Sequence, residues 1–171
     1  MGMIANYQSI NDVTFKRFSK IALQEDPDKL IAEIEVLQDQ VEDDELLDID
    51  KMWDAIHFLL TGNDTSEPID GDPLSQSIVG KIVFSNTDFI AGIDKESVKE
   101  IAAALEQVDA EDLAREFDMQ KCKDNEIYPK IWHLEDEADE ILEEITDYFE
   151  ALKVFYRKMA DRNKNVLLTI Y

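Results

Sequence analysis

Ile141, Leu142, Ile145, Tyr148, Phe149, Leu152, Phe155, Tyr156 and Met159 follow one another by threes and fours without a break. That spacing puts them along one side of an α-helix. A helix over residues 136–161 would run about 40 Å at about 1.5 Å per residue. Its early turns carry Asp136, Glu137, Asp139 and Glu140, and its late turns Lys153, Arg157, Lys158 and Arg162, in the sense the helix dipole favours. A helix this long with one apolar side needs a core to cover it. Directly after it comes a continuous apolar run, Val166, Leu167, Leu168, Thr169, Ile170 and Tyr171. A run of that length without polar alternation predicts a strand inside a sheet, beside an N-terminal strand.

The remaining elements are read from their caps and breakers. Residues 3–10 are short, apolar and aromatic, and end at Asn11 and Asp12, either of which suits the N-cap of a helix presenting Phe15, Phe18, Ile21 and Ala22. Asp26 and Pro27 open a second helix with Leu30, Ile34, Leu37 and Val41 on one side. The acidic stretch Glu42, Asp43, Asp44, Glu45 reads as its frayed end and a solvated connection. Residues 51–60 form a helix that is apolar on most sides, capped by Asp48 or Asp50 and closed by Gly62 in the left-handed conformation. Residues 63–72 are a loop. Asp72 and Pro73 open a short helix that Gly80 closes, residues 81–84 and 89–93 are strands, Asp94 caps a helix bearing Val98, Ile101, Ala102 and Leu105, and Asp109 caps a short one through Phe117. Helices outweigh strands, and strands sit at both ends and the middle. The expectation is α+β: a single helix-rich domain over residues 1–171, with a small sheet that includes the N- and C-terminal strands.

Composition bounds the function classes. Of 171 residues, 44% are apolar, enough for a substantial core, and no stretch reaches the length of a membrane span. Gly2 follows Met1, but Asn6 stands where a myristoylation signal needs Ser or Thr. Cys122 is the only cysteine, which rules out a disulfide within one chain. The N-terminus lacks the charged segment and apolar run of a secretory signal, and with the single cysteine this points to the cytoplasm. Forty acidic against seventeen basic side chains give a net charge of −23. Such a field repels nucleic acid and anionic lipid; it attracts a basic protein partner, or simply keeps the chain soluble.

Four segments carry a family resemblance. Met1, Gly2, Met3 and Ile4 open the chain; Leu47 through Gly62 includes Lys51-Met52-Trp53-Asp54-Ala55-Ile56-His57-Phe58-Leu59-Leu60; then come Asp72-Pro73-Leu74-Ser75 and Glu126-Ile127-Tyr128-Pro129. With the long helix leading to Tyr156-Arg157-Lys158-Met159 and the apolar C-terminus, the chain resembles the YfbM-like family of small bacterial proteins of unknown function. The resemblance implies a bacterial α+β domain over essentially the whole chain. It implies no reaction and no ligand.

Several constellations invite chemistry. Asp50, Asp54 and His57 lie four and three apart and would share a helical face with Lys51 and Thr61. A carboxylate beside an imidazole can relay a proton or join a metal site, but zinc needs three or four ligands and the only other histidine is His133. The alternative is that Asp50 caps the helix while Asp54 and His57 satisfy buried groups. Ser75 with His57 would make a nucleophile and base, yet Asp72-Pro73-Leu74-Ser75-Gln76 is no nucleophile elbow. Cys122 sits between Lys121 and Lys123, neighbours that would lower a thiol pKa; a connecting segment is its expected place. Glycines are scattered singly, so no phosphate loop exists, and no cofactor is called for.

Two functional readings follow. The first is a non-enzymatic interaction protein, immunity- or antitoxin-like, presenting its acidic surface to a basic protein partner. The second is a small-molecule-binding or hydrolytic protein with a pocket built from Trp53, Asp54, His57, Tyr128 and Trp132.

Overall fold

The computed structural model describes residues 2–21, 26–85 and 89–171. Its chain runs β1 (Ala5–Ile10), α1 (Asp12–Ile21), α2 (Pro27–Gln38), a 3-10 turn (Asp43–Glu45), β2 (Leu46–Asp48), α3 (Trp53–Thr61), α4 (Pro73–Val79), β3 (Ile82–Ser85), β4 (Phe89–Ile93), α5 (Lys95–Glu106), α6 (Ala110–Glu116), α7 (Met119–Asp124), a second 3-10 turn (Glu135–Glu137), α8 (Ala138–Asp161) and β5 (Asn165–Ile170). The architecture is a single α+β domain, as expected.

One antiparallel sheet holds the strands in the order β2-β1-β5-β4-β3. The last strand is thus central, with Tyr7 opposite Leu168 on one side and Ala91 opposite Leu168 on the other. Alternation along the strands divides the core in two. Ala5, Tyr7, Ala91, Ile93, Val166, Leu168 and Ile170 join Ile56 of α3, Ile101 and Leu105 of α5, and Ile145, Phe149 and Tyr156 of α8. Ile10, Phe84, Ile90 and Leu167 face the other way, onto Phe18 of α1 and Leu30 and Ile34 of α2. Helices cover both faces, which is why every residue of β5 is buried and why its sequence is an unbroken apolar run.

Capping chemistry reads through well. Asn11 Oδ1 accepts from Thr14 N at 2.8 Å, and Asp26, Asp72, Asp94 and Asp109 each cap the helix expected of them. Gly62 closes α3 at φ 83°, its N–H donating to Phe58 O. Two buried tyrosines tie α4 to the rest: Tyr7 and Tyr156 donate to the carbonyls of Ile78 and Ser77, at 3.2 and 2.7 Å.

Other expectations need correction. Helix α3 begins at Trp53 without a side-chain cap, because Asp50 turns into the left-handed region at φ 46° and its carbonyl accepts from Ala5 N instead. Val41 lies beyond the end of α2. Phe117 ends α6 as its C-cap. Ala22 lies outside the described residues. The acidic stretch at residues 42–45 is not a frayed connection. Arg162 grips Asp44 with both terminal nitrogens, at 3.0 and 2.7 Å, and reaches Glu45 at 3.0 Å. Glu45 also accepts from the Ser9 hydroxyl. Burial works to raise the pKa of Glu45, but those two bonds outweigh it and hold the carboxyl below its ordinary value. Leu46, Leu47 and Asp48 then pair with β1 as an unforeseen edge strand.

The second core carries one orphan set. Among the described residues, nothing bonds Gln8 Nε2 or Oε1 or Thr169 Oγ1, all of them buried. An unmet buried hydroxyl costs free energy that an isosteric methyl does not. We therefore expect Thr169→Val to stabilise the protein by about 1 kcal/mol. A Cβ on Gly92 would come within 2.3 Å of the Phe84 ring and 2.9 Å of Phe15, so Gly92→Ala should destabilise by about 1–3 kcal/mol. Urea midpoints at unchanged m-value measure both, and a less stable Thr169→Val would contradict the orphan account.

Candidate functional site

Helix α3 is buried almost all round: Trp53, Asp54, Ala55, Ile56, His57, Phe58 and Leu59 are all inside. Its two buried polar members must therefore find partners within the protein. Asp54 Oδ1 accepts from Thr65 N at 2.8 Å and Thr65 Oγ1 at 2.9 Å, while Oδ2 accepts from Tyr128 N at 2.8 Å. One carboxylate thus holds the loop at residues 63–72 and the turn at Tyr128 with three charge-assisted bonds.

His57, one helical turn on, holds the same loop from another side. Its Nδ1 lies 2.8 Å from the carbonyl of Asn63, which can only accept, so Nδ1 carries the hydrogen. Nε2 is then an acceptor and takes the Ser75 hydroxyl at 2.8 Å. Ser75 Oγ in turn accepts from Ile69 N at 3.0 Å. Thr61 completes the arrangement, donating to His57 O at 2.8 Å and accepting from Asn63 N at 3.1 Å. Burial holds the imidazole pKa below its ordinary value, against the raising pull of the Asn63 carbonyl and of Asp54, Asp64 and Asp72. Burial thus favours the neutral ring. Ser75 and His57 stand at the separation of a nucleophile and its base, yet both are 0% exposed. What the pair does in this structure is join α3, α4 and the loop between them.

The aromatic residues divide. Trp53 stacks on Tyr128, with ring centroids 5.1 Å apart and planes at 24°. Trp53 Nε1 donates to Met3 O at 3.1 Å, and Met3 N donates to the Tyr128 hydroxyl at 2.8 Å, so the pair clamps the start of the chain. Trp53 lines an open hollow of about 540 Å³ with Met3, Phe89 and Tyr171. Trp132 turns elsewhere: its Nε1 donates to Ile127 O at 2.6 Å, and it lines a separate hollow of about 220 Å³ with Lys123, Lys130 and His133. Trp53, Asp54 and Tyr128 are brought together, His57 faces Ser75, and Trp132 belongs to another surface. Thr65, Asn63 and Ile69, which complete both networks, carry no sequence signal beyond lying in the loop.

Asp50 precedes α3 in a left-handed turn, so the helical face expected for Asp50, Asp54 and His57 does not exist. Among the described residues, no group of three or more His, Cys, Asp or Glu is placed to hold a metal. Cys122 is not on a connecting segment but buried in α7, and burial pushes its thiol up to about 11, against the lowering expected from its lysine neighbours.

Fold and site together define a helix-covered antiparallel α+β protein whose buried polar side chains hold a long loop against its core helix. The chain belongs to the family described as a domain of unknown function, DUF1877, which it matches over residues 1–169. It is 34% identical over 128 residues to Protein YfbM of Escherichia coli strain K12, a match that spans 72% of this chain and 75% of that protein. The crystal structure of YfbM from Escherichia coli, a protein of unknown function, superposes with a TM-score of 0.73 at 24% identity, over 98% of this chain and 99% of that one. The YfbM-like resemblance read from the sequence holds. No helix among the described residues is long and apolar enough to cross a membrane.

Replacing Asp54 by Asn turns one accepting oxygen into a donor aimed at a donor, and should cost about 2–4 kcal/mol by chemical denaturation. For His57 the sign follows from linkage. Its folded pKa is depressed, so as pH falls below about 6.5 the unfolded chain takes a proton that the folded chain refuses, and stability declines. The stability gap between wild type and His57→Ala should thus be widest above about pH 7 and narrow on acidification. A gap that stays constant or widens toward pH 5 would show that the ring is not buried neutral.

Proposed function

We propose that this protein is a non-enzymatic, cytoplasmic binding protein that holds a basic protein partner through carboxylates, in the manner of an immunity protein or antitoxin. One observation carries the reading. From residue 131 to residue 152 there is no lysine or arginine, and Glu135, Asp136, Glu137, Asp139, Glu140, Glu143, Glu144, Asp147 and Glu150 are all exposed. None of them enters an ion pair among the described residues. The helix dipole accounts for acids in the first turn of α8, but Glu143, Glu144, Asp147 and Glu150 lie beyond its reach. Burial above all, and then the Asp50 carboxylate, push the pKa of Glu144 up against the lowering pull of Lys51. A row of carboxylates without ion pairs along α8 and the turn before it costs stability and supports steering of a cationic partner. The acids at residues 42–45 offer less, since Asp44 and Glu45 are already held by Arg162.

A second reading, a hydrolytic pocket, has the Ser75–His57 pair in its favour. It requires the loop at residues 63–72 to open, since neither side chain reaches the surface. Covalent labelling of Ser75 by a fluorophosphonate, abolished in His57→Ala, is the result that would move the assignment there.

The binding reading is tested by pull-down from the host lysate at low and high salt, using wild type and a variant with Glu140→Gln, Glu143→Gln, Asp147→Asn and Glu150→Gln. A basic protein retained at low salt should be released at high salt. The variant should bind it about tenfold more weakly or worse while melting no lower than wild type. A partner indifferent to salt and to all four substitutions would sink the proposal.

A further inference from the structure

A second surface combines apolar exposure with negative charge. Met3, Ile69, Val83, Phe89 and Tyr171 are five of the large hydrophobic side chains exposed to solvent. They are not scattered. Met3, Phe89 and Tyr171 line the hollow of about 540 Å³ whose wall includes Trp53. Ile69, Val83 and again Phe89 line a neighbouring hollow of about 220 Å³, and Thr65 belongs to both. Exposed apolar side chains gathered around two adjoining hollows offer seats for apolar side chains of a partner.

The rim fixes the chemistry of the partner. The loop at residues 63–72 runs along both hollows and carries Asp64, Glu67 and Asp70, none in an ion pair among the described residues. Hydrogen bonds from Ser66, its side-chain hydroxyl foremost, hold the Asp64 carboxyl below its ordinary pKa and so keep it charged. Residues 52–80 contain no lysine or arginine. Lys81 lines the smaller hollow, but its amine is held by Ser97 Oγ at 2.6 Å and Asp94 at 3.4 Å. A second copy of this chain is a poor occupant, since each brings a charge of −23 to the contact.

We propose that these paired hollows receive a basic amphipathic segment of another protein. Its apolar side chains seat beside Phe89, and its lysines or arginines meet Asp64, Glu67 and Asp70. The inference rests on the binding reading above and gives it an anchor: apolar side chains supply affinity at the centre, and the charged rim supplies selection and rate. The loop that forms the rim is the one Asp54 and His57 hold in place, so the surface is set before the partner arrives.

Two labelled synthetic peptides of equal positive charge test it by fluorescence anisotropy: an amphipathic leucine–lysine helix, and the same peptide with glutamine at every leucine. Wild type should bind the leucine peptide about tenfold more tightly or better than the glutamine one. Met3→Ser/Phe89→Ser and, separately, Ile69→Ser/Val83→Ser should each remove most of that preference, with thermal unfolding showing both variants folded. Asp64→Asn/Glu67→Gln/Asp70→Asn should weaken both peptides. Equal affinity for the two peptides, or a leucine preference untouched by both apolar double variants, overturns the anchor and leaves the acidic-surface reading intact. Failure to bind either peptide overturns both.

Discussion

A helix buried on nearly all sides has nowhere to send its polar groups except into the rest of the protein, and α3 is such a helix. The consequence spreads outward. Because Asp54 is inside, Thr65 and the backbone at Tyr128 must come to it; because His57 is inside, Asn63 and Ser75 must come to it. Those requirements place the loop at residues 63–72, the start of α4 and the turn ahead of α8. Tyr7 and Tyr156 then fasten the far end of α4 to the sheet and to α8. Asp54, His57 and Ser75 are each bonded to the loop or the helices around them.

How far this was legible in the sequence follows from how local each cause is. The caps of α2, α4, α5 and α6 are aspartates bonded two or three residues ahead, and Gly62 closes α3 within its own turn, so all could be read directly. The central place of β5 was readable because burial on both faces leaves an apolar run. Strand β2 was not: Leu46, Leu47 and Asp48 become a strand only by pairing with Gln8, Tyr7 and Asn6. Helix α7 was missed because it buries little besides Cys122, although Asp118 capping Lys121 N, with Lys121 and Lys123 in the last turn, was a signal to use. The site was the least legible. Asp54 meets partners 11 and 74 residues away, and His57 meets Ser75 across 18; no periodicity rule spans such separations.

Charge is distributed with a similar logic. The cations are few and several are spent internally: Arg162 and Lys158 on Asp44, Lys81 on Asp94, Lys95 on Asp12, Arg157 on Glu106. Each such pair on a half-exposed surface contributes little to stability. Among the described residues, the acids from Glu135 to Glu150 and those of the loop at residues 63–72 are left without ion pairs, so the excess negative charge is concentrated on particular elements.

The position of β5 has a bearing on synthesis. A ribosome makes this strand after every other element described, yet it belongs between β1 and β4. Until residues 165–170 emerge, the nascent chain can form at most two separate ribbons, β1 with β2 and β3 with β4, each with an unpaired apolar edge. A chain that stops short of residue 165 is therefore not a slightly shortened version of this protein. It is a chain with a slot down the middle of its sheet, open to any strand a crowded cell can offer.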